Sequence, residues 1–190
     1  MVCLTSWRPV SGLLRSGSFF AERAMAVMEY WKKIKTLEAL VKECADLRGA
    51  GKKIAFTNGC FDILHPGHAR YLFEARLSAD FLIVAVNSDS SVEALKGKDR
   101  PVLPERARAE LLAALGFVDA VVIFEEETPL KVIRKLLPDV LVKGSDWAEE
   151  DIVGAGEVKA AGGEIRRIPI IAGFSSSSII ERIGGSSKQI

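Results

Sequence analysis

One pattern narrows the fold of this chain more than any other. Short apolar runs alternate with stretches of helical period. Lys53 to Thr57, Phe81 to Val86, Ala120 to Phe124, Val140 to Val142 and Glu164 to Ile168 read as strands. Pro66 to Leu77, Pro104 to Leu115, Thr128 to Leu137, Glu150 to Ala161 and Ser175 to Ile183 read as the helices between and after them. Pro66 suits a first helical turn, and Thr128 followed by Pro129 reads as an N-cap. Gly154 and Gly156 weaken the Glu150 to Ala161 helix, and Gly184-Gly185 is expected to end the last one. Strand then helix, repeated, predicts an α/β fold: a Rossmann-like doubly wound parallel sheet of about five strands with helices on both faces. Ligands of such sheets sit outside the carboxyl ends of the strands, at the switch point in strand order. Functional residues are therefore expected just after strands.

The organisation around this core reads as follows. Residues 1–27 carry Arg8, Arg15 and Arg23 against Glu22, with several serines. That composition has the look of a transit or export signal, but Arg15 and Arg23 interrupt it. The reading adopted is an over-long start, poorly ordered, with initiation at Met28 or Met25. Residues 28–51 are expected to form an N-terminal helix, with Ile34, Leu37, Leu40, Val41, Cys44 and Leu47 on one face and Gly49 and Gly51 as its stop. Residues 52–185 form the catalytic unit, and 186–190 a tail.

Composition excludes several classes. The net charge is +1, so no electrostatic footprint for nucleic acid or an anionic membrane exists. The three cysteines, Cys3, Cys44 and Cys60, lack C-x-x-C spacing. That fits a reducing compartment better than a disulfide framework or a structural zinc site. No apolar run reaches the ~18 residues a bilayer span needs, and a cytoplasmic location is expected. Neither a G-x-x-x-x-G-K-[ST] loop nor a G-x-G-x-x-G after the first strand is present.

Four segments carry candidate chemistry. The first is His65-Pro66-Gly67-His68, which holds both histidines of the chain. It follows a strand and opens a helix, where free N–H groups and the positive dipole end favour an anion. Residues three apart share a helix face, so both imidazoles can approach one phosphate, and Gly67 lets backbone or ligand come close. The alternative is a pair of helix caps. Thr57, Asn58 and Gly59, at the preceding strand end, add donors. The second segment is Lys96-Gly97-Lys98-Asp99-Arg100-Pro101, after the strand end Asn87-Ser88-Asp89. Its cations suit a triphosphate or sugar phosphate, although a solvated basic loop reads equally well. Arg108 follows on the next helix. The third is Lys143-Gly144-Ser145-Asp146-Trp147. It offers a strand-end lysine, a turn glycine and a carboxylate for a ribose, a base amine or metal-bound water; a capped turn packed by Trp147 is the alternative. The fourth is Gly173-Phe174-Ser175-Ser176-Ser177-Ser178, whose hydroxyls can cap a helix or donate to phosphate. Glu125-Glu126-Glu127 reads mainly as first-turn charge. Cys60 reads as a small packed residue, because no separate histidine exists to activate it.

Together these residues resemble the H-x-G-H nucleotidyltransferase superfamily, and Gly59 to His68 resembles its cytidylyltransferase-like branch. Within that branch, Pro138 to Asp146 and Ile152-Val153-Gly154 are most similar to the adenylyltransferase domain of the ADP-heptose synthase family. Supporting segments are Phe56 to His68, Val86 to Asp89, Lys96-Gly97, Glu127 to Leu130 and Gly162-Gly163-Glu164, so the resemblance runs from about Lys32 to Ile183. Three departures stand out. No sugar kinase accompanies the domain, and the resemblance therefore implies a separate kinase partner. A late Ser-Thr-Thr motif is replaced by Ser175 to Ser178. Ala172 stands where an acidic residue is common.

The resemblance implies transfer of AMP from ATP to D-glycero-β-D-manno-heptose 1-phosphate, giving ADP-heptose and pyrophosphate. His65, His68 and Lys96 are the expected catalytic residues. Thr57, Asn58, Gly59, Phe61, Gly67, Lys143, Gly144, Asp146, Ser175, Ser176 and Ser177 are expected at the nucleotide. Asp62, Asn87, Asp89, Arg100 and Arg108 are expected at the acceptor. Mg²⁺ is expected on the phosphates with no dedicated protein ligands, and a homodimer is expected. Two alternatives remain: a cytidylyltransferase for glycerol 3-phosphate or another polyol phosphate, and a nucleotide-binding regulatory module without turnover. A class I aminoacyl-tRNA synthetase fragment lacks support, because no K-M-S-K-S-like segment is present.

Overall fold

The computed structural model describes residues 29–169 and 173–186. The extension 1–27, Ala172 and most of the 186–190 tail lie outside the described residues. Met1–Tyr30 separates from Trp31–Ile190 as a unit of its own, and the fold described is that of the second unit.

Five strands form one parallel sheet: β1 (Ile54–Gly59), β2 (Phe81–Asn87), β3 (Ala120–Phe124), β4 (Val140–Gly144) and β5 (Glu164–Ile168). Their order is β3-β2-β1-β4-β5, and every pairing is parallel. Strand order reverses between β1 and β4, which places the switch point at Gly59 and Gly144. The expected doubly wound sheet is thus the observed one.

Side chains alternate between two buried faces, as strands covered on both sides require. On one face Ile54, Phe56, Ile83, Ala85, Val122 and Leu141 pack against three helices: α1 (Leu37–Gly49) through Leu40 and Cys44, α5 (Leu130–Leu136) through Val132, Ile133 and Leu136, and α6 (Ala155–Ala160) through Val158. On the other, buried Ala55, Leu82, Val84 and Val121 meet α2 (Pro66–Arg76) and α4 (Glu105–Ala113). Aspartates close the amino ends of the strands. Asp80, Asp119 and Asp139 accept hydrogen bonds from the N–H groups of Lys53, Leu82 and Ile54, at 2.9, 2.8 and 2.8 Å. Donors that no neighbouring strand reaches are thereby satisfied.

Five features of the elements differ from the sequence reading. The first helix begins at Leu37, because the Thr36 side chain caps it at Ala39 N–H. A helix with no counterpart in the sequence reading, α3 (Asp89–Lys96), follows β2 directly and is capped by Ser88, which places Lys96 on a helix end rather than in a loop. Pro129, not Thr128, is the N-cap residue of α5, without a side-chain bond. The Glu150 to Ala161 helix shrinks to α6, since Gly154 adopts φ +86° in front of it and a Cβ there would lie 2.7 Å from Ile133 Cδ1. The final helix α7 (Ser176–Ser186) continues through Gly184-Gly185 instead of ending there.

Arg108 is the largest correction. It was expected at the acceptor, yet it is fully buried. Its guanidinium donates to the carbonyls of Leu103, Cys60 and Asn87 and to the Asp89 carboxylate. It therefore joins the chain just past β1 to the end of β2. Lysine carries the charge but not the planar fork. Arg108→Lys is expected to lower stability by about 3 kcal/mol, because buried carbonyls lose their donors; urea denaturation against wild type measures this, and an unchanged midpoint would show that the strut is dispensable.

Candidate active site

The carboxyl ends of β1 and β4 open into a cleft with two lobes. The first holds about 230 Å³ and is lined by Asn58, Gly59, Phe61, His65, Gly67, His68, Tyr71, Asp146, Phe174 and Ser176, among others. The second holds about 480 Å³ and is lined by Asn87, Leu95, Glu127, Thr128, Pro129, Ile152 and Val153. Asn58, Gly59, Cys60, Lys96, Lys143 and Trp147 line both.

The histidines occupy the start of α2. His65 is the N-cap residue in extended geometry, and its Nδ1 accepts from His68 N–H at 3.3 Å. That bond places its proton on Nε2. Capping and ligand binding are thus compatible readings of His65. The two rings stack with centroids 3.8 Å apart, and Phe61 meets His68 edge-on at 5.2 Å. A Cβ on Gly67 would lie 3.0 Å from the His65 ring, so any larger residue there presses on the stack. Phe61 has φ +46°, a costly conformation for a bulky side chain, at the turn leaving β1.

Burial lowers the His68 pKa to about 4, aided by the neighbouring His65 and Lys96 charges, while the Ile63 carbonyl pulls it up. That carbonyl forms no hydrogen bond with the His68 ring. Among the described residues, His68 Nδ1 and Arg100 Nη2 are the buried side-chain atoms without a partner. Burial also lowers the His65 pKa. A neutral imidazole with an unpartnered nitrogen, in a cleft bordered by lysines, is suited to an incoming anion.

Lys143, at the end of β4, donates to Asn58 Oδ1 at 2.6 Å and lies 5.7 Å above the Trp147 ring. Burial lowers its pKa to about 8, with Asp146 and Cys60 opposing. The amine stays mostly protonated at neutral pH, but a bound phosphate would improve its environment. Ser176 Oγ donates to the Ile63 carbonyl at 3.3 Å, bringing the start of α7 against the histidine loop.

Several expected site residues are engaged elsewhere. Thr57 is buried and bonds Tyr71 Oη at 2.7 Å, away from the cleft lining. Burial pushes the Tyr71 phenol above its usual range, against the Thr57 bond. Asp62 reaches the first lobe, but its carboxylate accepts from Arg100 Nε and from the N–H groups of Val102 and Leu103. Burial opposes its ionisation, yet those donors outweigh it and hold the carboxyl below the usual range. Asp62 and Arg100 therefore anchor the loop after α3. Asp89 is paired with Arg108. Ser175 caps α7 through Ser178 N–H at 3.0 Å, and neither Ser175 nor Ser177 lines the cleft. Of the residues expected at the acceptor, Asn87 alone keeps a place in the second lobe.

Other cleft residues escaped the sequence reading. Cys60 lines both lobes, Tyr71 and Phe174 the first, and Glu127 the second. Their available signal was position just after a strand, which Cys60 and Glu127 share with the motif histidines. No group of three or more His, Cys, Asp or Glu is poised for a metal among the described residues. Asp146 is the exposed carboxylate in the first lobe. Mg²⁺ would fit there only with phosphate oxygens or water completing its shell.

Comparison with known proteins agrees with this geometry. The cytidylyltransferase-like family pattern matches residues 56–182. The chain belongs to the cytidylyltransferase-like family. Within that family, it is 53% identical over 146 residues to the bifunctional protein HldE of Hyphomonas neptunium, covering 77% of this chain and 30% of that one. It is 56% identical over 138 residues to HldE of Nitrobacter hamburgensis, covering 73% and 28%. The chain thus spans less than a third of these relatives' length. Among solved structures, a lipopolysaccharide core biosynthesis protein from Thermoplasma volcanium superposes with TM-score 0.52 at 29% identity, over 64% of this chain and 98% of that one. In this cytidylyltransferase-like chain, His65 and His68 line the first lobe.

The buried, neutral His68 has a consequence for stability. Its folded pKa, about 4, lies below the 6.5 of a free imidazole. The unfolded chain therefore binds more protons between those values. Stability is fully present above about pH 6.5 and lost as pH falls towards 4. The loss is on the order of 2 kcal/mol after discounting for solvent. His68→Gln is expected to flatten this part of the stability–pH profile; parallel profiles for variant and wild type would contradict it.

Proposed function

We propose that the chain transfers AMP from ATP to D-glycero-β-D-manno-heptose 1-phosphate, releasing pyrophosphate. The observation that carries this reading is the stacked His65–His68 pair at the start of α2, facing a cleft bordered by Lys96 and Lys143. Relatives named HldE and a structural neighbour named for lipopolysaccharide core biosynthesis support the choice of a core sugar, as does the resemblance carried by Pro138 to Asp146.

In this mechanism the sugar phosphate oxygen attacks the α-phosphorus in line and pyrophosphate leaves. His65 Nε2–H and His68 donate to oxygens that gain charge as the bond to pyrophosphate breaks. His68 accepts its proton more readily once phosphate enters the lobe, since an adjacent anion raises an imidazole pKa. Lys143, held by Asn58, and Lys96 neutralise phosphates at the border of the lobes. The Asn58–Gly59 backbone and the start of α2 supply further donors. Asp146, Phe174 and Ser176 hold the nucleoside end. No protein nucleophile is required; positioning and charge stabilisation drive the step. Mg²⁺ on the triphosphate would be met by Asp146 in the first lobe and would add charge neutralisation. A sugar kinase supplies the 1-phosphate, the protein acts in the cytoplasm, and two copies form a homodimer. No described helix is long and apolar enough to cross a membrane.

Pyrophosphate release with ATP or CTP against heptose 1-phosphate anomers and glycerol 3-phosphate tests the assignment. ATP with the β-anomer is expected to give the highest kcat/KM, and preference for CTP with glycerol 3-phosphate would overturn it. His68→Ala is expected to lower kcat by about 10²–10³ while ATP affinity changes only a few-fold. A folded variant that keeps wild-type turnover would remove His68 from the mechanism.

A further inference from the structure

The second lobe holds neither histidine, yet it is the larger of the two and shares the lysine border with the first. Its wall is mixed. Leu95, on α3, is 56% exposed and lines the lobe. Buried Pro129 and half-buried Val153 add apolar lining, and Glu127 and Thr128 add a carboxylate and a hydroxyl.

Glu127 is held here by a chain of bonds that does not consume its own carboxylate. Asn87 Nδ2 donates to Ser91 Oγ at 2.9 Å, and Ser91 Oγ donates to the Glu126 carbonyl at 3.1 Å. These bonds tie the turn after β3 to the end of β2. Glu126 pairs with Lys131 at 2.6 Å. Glu127, the next residue, is exposed, and no hydrogen bond or ion pair engages it among the described residues. Its charge is thus not used by the fold, although the sequence reading had given it to the first turn of α5.

We infer that this lobe is the acceptor subsite, built for the uncharged, polyhydroxylated ring of a sugar monophosphate, with Glu127 as its hydroxyl-recognising group. The inference rests on the nucleotidyl-transfer reading of the adjoining lobe. A sugar ring presents a C–H face and a hydroxyl edge, and the lining offers both kinds of partner: Leu95 and Val153 for the first, Glu127 and Thr128 for the second. A carboxylate accepts from vicinal hydroxyls and repels a second phosphate or carboxylate. The single phosphate of the acceptor then lies at Lys96 and Lys143, where the α-phosphate of the nucleotide also arrives.

Steady-state kinetics on Glu127→Ala and Glu127→Gln test this. The KM for the sugar phosphate is expected to rise at least tenfold in the alanine variant and less in the glutamine variant, with the KM for ATP within twofold of wild type. For glycerol 3-phosphate, which lacks the ring, the substitution is expected to change KM little. Equal changes in both KM values, or no change in either, would overturn the subsite. If wild type prefers another sugar monophosphate, the heptose reading fails, and the same comparison with that acceptor still decides the role of Glu127. If wild type turns over only polyol phosphates, or calorimetry detects no sugar phosphate binding in the presence of ATP, the inference falls.

Discussion

Everything at the mouth of this protein depends on one buried guanidinium. Arg108 meets three backbone carbonyls and one carboxylate, drawn from the end of β1, the end of β2, the loop before α4 and the start of α3. A parallel sheet leaves its strand ends with unpaired carbonyls, and a polar group buried without a partner is costly. Arginine supplies enough donors in one plane to satisfy several at once. With the strand ends fixed, Asn58 and Gly59 stand in the cleft floor, and the loop to His65 has a defined start.

The site is electrostatically unfinished without ligand. His68 is buried and neutral with an unpartnered nitrogen. Lys143 is charged but poorly solvated. An anion between them relieves both, which makes ligand binding and active-site stability two aspects of one balance. The same reasoning separates these groups from Asp62 and Arg100, whose ion pair fixes a loop.

The fold was legible because the strand runs are short, apolar and separated by helical periods. Four of the five strands begin where the pattern places them, and β3 and β5 match at both ends. Helix α3 was hidden because Asp89, Ser90 and Ser91 are poor helix formers; the Ser88 cap and burial of Ser91 and Val92 override that weak propensity. The histidine motif was legible because its spacing, glycine and strand–loop–helix setting agree. Arg108 was misread because charge in a sequence signals exposure, while its carbonyl partners come from distant segments brought together only by folding. Glu127 was discounted for the opposite reason: it sits in an acidic run whose local explanation, helix-start charge, was sufficient by itself. Asp89 and Arg100 were placed with the acceptor from position and charge, but position near a strand end does not reveal which charges already have partners.

The central claim is that this cleft moves a nucleotidyl group, and label transfer tests it most directly. With ATP labelled at the α-phosphate, the label is expected in the sugar nucleotide, in equal amount to the pyrophosphate released. With ATP labelled at the γ-phosphate, it is expected in pyrophosphate alone. Label from the γ-position on the acceptor would mean phosphoryl transfer, and release of α-label only as free AMP would mean hydrolysis; either result would contradict the account.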